Sequence, residues 1–271
     1  MGPVRLTPLC KDDQLTWAVI RYHGLHDPET SVTVYYAVPY AQAKRFEAPR
    51  PIDTVDGLDP DKEVNATAHG AACPNFKLSP PFDQAFEAFL GPYPAEPQSE
   101  DCLNLDVYVP DGNHDDLPVL FFAPGGGFLV GASWPTDMRS LVSRSAEMGK
   151  PFIGVAIQYR LGPLGTLNPS TAKDVNVGVL DQFEALRFIN KYAGVWGGSG
   201  KKVTISEIRS TLYQIVIADM RPQWVKVLVL SRLCISFFGT MNTSSVQHTC
   251  SACHHRKSCL EGEATAAPAG Y

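Results

Sequence analysis

Val119-Leu120-Phe121-Phe122-Ala123, followed at once by Pro124-Gly125-Gly126-Gly127-Phe128, decides how this chain is read. An unbroken apolar run suits a strand covered on both faces, and the glycines after it suit a tight turn at the strand's end. A second such run is Phe152-Ile153-Gly154-Val155-Ala156-Ile157. Leu141 to Met148 lies between the two, and Val177 to Tyr192 follows, with Val179, Leu180, Phe183, Leu186, Phe188, Ile189 and Tyr192 near helical spacing. Lys202-Val203-Thr204-Ile205 supplies the next strand. Strand, helix, strand, helix, strand predicts an α/β fold, its parallel sheet linked by crossover helices.

Outward from this centre the pattern changes. Leu103 to Val109 alternates apolar and polar residues as a half-buried strand does. Near the amino terminus, Leu15 to Ile20 and Val32 to Tyr36 are short β-rich runs joined through Gly24 and Asp27-Pro28, which predicts an antiparallel edge hairpin. Residues 60–100 are proline-rich and irregular, and only Phe82 to Leu90 hints at a helix.

Composition excludes several functions. The chain has 271 residues, 44% of them hydrophobic and 19% charged, enough for one large domain with or without a tail. A net charge of -5 gives no long-range attraction to nucleic acid or an anionic membrane, so neither is expected as a partner. Lys11, Asp12, Asp13, Arg21 and Asp27 interrupt the first thirty residues, and no stretch reaches the ~20 apolar residues of a membrane span. The expected compartment is the cytosol. There Cys73 and Cys102 read as buried free thiols, and in an oxidising compartment they could bridge.

Several blocks together resemble the type-B carboxylesterases, the cholinesterase and carboxylesterase branch of the α/β-hydrolase fold. They are Val38-Pro39-Tyr40-Ala41-Gln42 with Arg45-Phe46-Glu47-Ala48-Pro49, Ser99-Glu100-Asp101-Cys102-Leu103-Asn104-Leu105-Asp106-Val107, and Gly125-Gly126-Gly127-Phe128. Tyr159 to Gly165 and Asn176 to Gln182, the latter running on through Ala185-Leu186-Arg187 to Gly197-Gly198, complete the likeness. It covers about residues 30–205 and implies hydrolysis of small carboxylic esters through an acyl-serine, with no cofactor. It also implies that Gly126 and Gly127 donate their amides to an oxyanion and that Gly125 to Phe128 line the substrate. Cys73 and Cys102 become the first disulfide pair, Arg45 and Glu100 a structural ion pair, and Tyr159 to Gly165 the turn leaving a central strand.

The chain departs from that pattern where the chemistry would occur. A G-x-S-x-G elbow should follow the strand ending near Ile205, because glycines permit the sharp turn that presents the serine. The sequence reads Ser206-Glu207-Ile208-Arg209-Ser210 instead, with Arg209 at the nucleophile position and Glu207 and Thr211 at the glycines. Pro124 takes the place of a residue with an amide. Ser199 sits among glycines but ahead of the strand, in the loop at the opposite end of the sheet; Ser206 and Ser210 have no base around them. The family's acid and histidine have no counterpart, so no catalytic residue is assigned.

Residues 206–271 carry no further block, although Ile215 to Ile217 and Val225 to Leu230 could be strands and Leu233 to Phe238 is apolar. Cys250, Cys253, Cys259, His254 and His255 approach a zinc-ligand spacing without its second half, so no metal site is assigned. The expectation is a truncated α/β-hydrolase over residues 1–205 and a non-family tail, irregular or disordered, over 206–271. A frameshift or a retained intron directly after Ile205 would account for that tail. The sheet would then end at its central strand with an open edge. Beside an inactive esterase, the chain could be a non-catalytic binding protein on an esterase scaffold.

Overall fold

The structure is a computed structural model and describes residues 4–5, 21–54, 63–76, 97–167, 170, 173–207, 225–231, 234–238 and 248–250. An antiparallel hairpin of β1 (Arg21–Asp27) and β2 (Val32–Pro39) opens it, with Leu25 opposite Val34 and Asp27 opposite Val32. The turn occupies residues 28–31, so pairing starts later than the composition implied, and Gly24 lies inside β1 rather than in the turn. The run Leu15 to Ile20 lies outside the described residues. Strand β3 (Glu63–Ala66) runs parallel to β1.

The centre follows the predicted alternation. Strands β4 (Asn104–Pro110) and β5 (Leu117–Ala123) precede helix α1 (Arg139–Glu147), which leads to β6 (Ile153–Ile157). A short helix α2 (Gly162–Thr166) and the long α3 (Val177–Tyr192) then lead to β7 (Gly198–Glu207). Across the sheet the order is β1-β2-β4-β6-β5-β7, with β5 parallel to both β6 and β7 and β4 antiparallel to β2 and β6. The result is an α/β-hydrolase arrangement, a parallel centre flanked by antiparallel edge strands.

Helices cover both faces, which is why the central strands are apolar throughout. On one face Val142 and Met138 pack against Val34, Tyr108, Phe122 and Ala156. On the other, Leu186 and Ile189 of α3 join Leu105, Val107, Phe121, Val155 and Ile205. All seven residues of β4 are buried, contrary to the half-exposed strand read from its alternation. Its polar members point into covered ground: Asp106 is 0% exposed and supplied with hydrogen-bond donors described below.

The sheet also continues past β7. Strand β8 (Val225–Ser231) pairs parallel with it, from Val203 opposite Val225 to Glu207 opposite Val229. Strands β9 (Cys234–Phe238) and β10 (His248–Cys250) follow antiparallel. The edge expected to be open at β7 is therefore occupied, by a β-branched run whose strand character the sequence displays. Among the described residues no helix is long and apolar enough to cross a membrane.

Candidate active site

The chain leaves the carboxyl end of β5 into the glycine turn, the end of a parallel strand where α/β folds place their chemistry. Gly126 has φ 140° and Gly127 φ 63°, while Phe128 holds a positive φ of 62° despite its side chain. At Gly126 glycine is obligatory, because a Cβ would stand 1.9 Å from the Val130 carbonyl oxygen. Gly127 faces open space, with nothing within 4 Å of the position a Cβ would take.

Several carbonyls of this turn are committed to the protein. Tyr159 donates its hydroxyl to Pro124 at 2.8 Å. The Gly126 carbonyl accepts from the amides of Leu129 and Val130, and Phe128 accepts from the Gly162 amide at 2.5 Å. Asn75 locks the far end, its Oδ1 accepting from the Gly131 amide at 2.6 Å and its Nδ2 donating to the Gly131 carbonyl at 3.1 Å. The Phe128 ring leans edge-on against Tyr159, with centroids 6.4 Å apart. Among the described residues no acceptor takes the amide of Gly126 or Gly127. A rigid loop with two uncommitted N–H groups can bind an oxygen atom bearing charge.

Among the described residues no turn presents a nucleophile beside it. Ser206 is still in extended strand, opposite Phe122 on β5 and Leu228 on β8. It is 1% exposed, and among the described residues its hydroxyl has no hydrogen-bond partner. The backbone of Glu207 is likewise paired, with Ala123 and Val229. Arg209, Ser210 and Thr211 lie outside the described residues, as does most of the cysteine and histidine cluster from Cys250 to Cys259. Ser199, placed by sequence in a loop, is the second residue of β7, which begins earlier than its apolar core suggests. Its position at the amino end of the strand keeps it at the opposite end of the sheet from the glycine turn.

A serine, a histidine and an aspartate do meet elsewhere, in an arrangement that excludes a triad. The buried Asp106 accepts from the Ser133 hydroxyl at 2.8 Å through Oδ2, and His69 Nδ1 lies 3.1 Å from that same oxygen. Its Oδ1 accepts from the Ala37 amide at 3.0 Å. Serine and histidine thus converge on the carboxylate instead of touching each other, so no base is aimed at the hydroxyl. The cluster ties β2, β4 and the loops carrying His69 and Ser133 together.

The remaining expected residues are structural. Arg45 grips Glu100 with two hydrogen bonds, yet the side chains are 60% and 41% exposed, which limits the strength of the pair. The stronger anchor was not visible in the sequence. Arg160, at the end of the loop after β6, pairs with Asp181 of α3 and donates through Nη1 to the carbonyls of Lys44 and Glu47. It fixes the same amino-terminal loop from a buried position. Cys73 and Cys102 are joined as a disulfide across a separation of 29 residues. That closure stabilises the fold by about 3–4 kcal/mol on the chain-entropy account.

Comparison with known proteins gives one consistent answer. A model of the carboxylesterase family matches residues 21–208. Secreted lipase 1 of Botryotinia fuckeliana is 35% identical over 190 residues, covering 65% of this chain and 32% of the lipase. The para-nitrobenzyl esterase of Bacillus subtilis is 33% identical over 186 residues, covering 65% of this chain and 34% of the esterase. The solved structure of a thermophilic pNB esterase superposes with a TM-score of 0.55 at 29% identity, covering 70% of this chain and 37% of that one. The chain spans about a third of the length of these curated relatives.

Proposed function

Because the chain belongs to the carboxylesterase family, we propose that its glycine turn acts as the oxygen-binding half of an ester-hydrolase site, holding a small carboxylic ester without cleaving it. The observation that carries this reading is the contrast between the two ends of the neighbouring strands. Gly126 and Gly127 keep their amides available after β5, whereas Ser206 at the end of β7 stays in the sheet, buried and flanked by two strands. Acyl transfer needs a hydroxyl exposed on a strained turn and a base within hydrogen-bond reach, and Ser206-Glu207-Ile208-Arg209-Ser210 supplies neither. A single oxyanion donor contributes about 3–4 kcal/mol to a transition state, but only where a nucleophile attacks. The chain is then a pseudoenzyme in which the oxyanion site persists as a binding feature.

Purified protein incubated with p-nitrophenyl butyrate and with a fluorophosphonate probe tests the reading. The expected outcome is no turnover that the probe abolishes and no covalent adduct on any serine. An adduct mapped by mass spectrometry to one serine, with matching loss of turnover, would overturn it.

The disulfide between Cys73 and Cys102 supports maturation in an oxidising compartment rather than the expected cytosol. Alkylation of protein from unreduced cells decides between the two: both cysteines stay unmodified until a reductant is added, or both react at once.

A further inference from the structure

A cavity of about 250 Å³ lies between α3 and the loop that follows β2, lined in part by Tyr40, Asp53, Glu184, Phe188 and Tyr192. None of its lining residues belongs to the glycine turn. Helix α3 finishes just before β7 begins, so Phe188 and Tyr192 lie toward the amino end of that strand, with Glu184 midway along the helix. The ester site therefore does not account for it.

The charges around the cavity are unequally satisfied. Asp53 accepts twice through Oδ2, from Lys191 Nζ at 2.6 Å and from the Tyr192 hydroxyl at 2.8 Å. Lys191 is committed to that pair and to the face of Tyr192, 5.2 Å from the ring centroid. Glu184 is different. The residue is 6% exposed, and its ion pair is with Arg187 at 3.5 Å, a guanidinium whose side chain is 72% exposed. A buried carboxylate whose ion pair is one long contact to a solvated cation has lone pairs left for a further donor. Beside it stand the rings of Phe188 and Tyr192, whose centroids are 4.9 Å apart.

We propose that this cavity binds a primary organic ammonium ion, with Glu184 accepting from the ammonium group and the Phe188–Tyr192 wall receiving its apolar stem. A charge-assisted hydrogen bond and an aromatic face are what such a cation needs, and the cavity offers them side by side. Lys191 and Arg187 also line the cavity, and each is already paired with a carboxylate, Asp53 and Glu184 respectively, which weighs against an anionic ligand. Burial also pushes the Glu184 carboxyl above its ordinary value, with Arg187 opposing. Asp53 adds to that rise and Lys191 subtracts from it, and the hydroxyl of Tyr192 faces the same space. A bound cation expels the proton from Glu184, so binding strengthens as pH rises through that range.

Phenethylammonium and phenylacetate, titrated into the full chain and followed by calorimetry, provide the test, and it does not depend on ester binding. Phenethylammonium should bind and phenylacetate should not. Glu184→Gln should weaken phenethylammonium about tenfold or more, the loss of one charge-assisted hydrogen bond. Arg187→Ala, on the exposed rim, should fold normally and tighten binding by removing the competing guanidinium. Absence of phenethylammonium binding, preferential binding of phenylacetate, or equal affinity in wild type and Glu184→Gln would each overturn the proposal. Should Glu184→Gln fail to fold, weaker binding in Arg187→Ala would do so.

Discussion

Arg160 and Asp181 meet through two parallel hydrogen bonds, Nε to Oδ2 at 2.8 Å and Nη2 to Oδ1 at 2.7 Å, with side chains 4% and 0% exposed. Burial pushes the Asp181 carboxyl up, and the Arg160 bonds oppose that rise. Gly165 and Gly178 make the approach possible, since a Cβ at either would lie within 2.4 Å of the Arg160 carbonyl oxygen. Arg160→Ala strands a buried carboxylate and frees the loop at Lys44 and Glu47, and is expected to cost about 3–5 kcal/mol in urea unfolding. Arg160→Lys recovers little, because an ammonium cannot serve the paired geometry and both carbonyls at once. A loss below about 1 kcal/mol for the alanine variant would show that the pair does not hold this layer together.

Gly126 and Gly127 respond in opposite ways to the same substitution. Gly126→Ala drives a methyl into the Val130 carbonyl at a φ that only glycine tolerates, so the turn must rebuild. Gly127→Ala meets no atom and carries only the strain of a left-handed residue, about 1 kcal/mol. Thermal unfolding of the two variants reads the difference directly. Equal melting temperatures would mean that the turn is not held as tightly as its bonds to Tyr159, Asn75 and Gly162 require.

What the sequence revealed and what it hid follow from the range of the interactions. The strands over 119–123 and 153–157 and the helix Val177–Tyr192 were legible because burial on two faces or one stripe writes a local apolar period. Arg160 was hidden because its partner lies 21 residues away, and a single arginine in a loop carries no pattern. Asp106 misled for a related reason. In an alternating strand a polar residue reads as solvent-facing, and only the tertiary arrival of His69 and Ser133 turns that position inward. The glycine turn was legible through its composition, whereas the commitment of its carbonyls depends on Asn75 and Tyr159, distant in sequence.

Asp106 is expected to matter to stability more than its place in the strand suggests. Asp106→Ala leaves the Ala37 amide and the Ser133 hydroxyl without their acceptor, each worth about 1–3 kcal/mol when buried. Ala37 also has φ 54°, so the irregular step between Tyr35 and Val38 in the β2–β4 pairing loses the bond that holds it. Hydrogen exchange provides the check: the Ala37 amide should lose protection in Asp106→Ala while β5 and β6 keep theirs. Unchanged protection would reduce the cluster to a surface feature of the His69 loop.

Acid should expose the contribution of Asp137. Its carboxylate receives Arg139 Nε at 3.0 Å and Nη2 at 2.6 Å, and those hydrogen bonds hold its proton affinity below the ordinary carboxylate value. A lowered folded-state value means that the unfolded chain binds the proton first as pH falls. The stability is therefore fully present above the unfolded value, near 4, and drains away as pH drops through the folded one. Wild type and Asp137→Asn should differ in melting temperature at about pH 7 and converge in strong acid, where both side chains are uncharged. Glu100, lowered in the same sense by its Arg45 hydrogen bonds, lies outside this comparison because it is present in both proteins. A gap that stayed constant with pH would assign the effect of the substitution to shape, and the ion pair would then contribute nothing measurable.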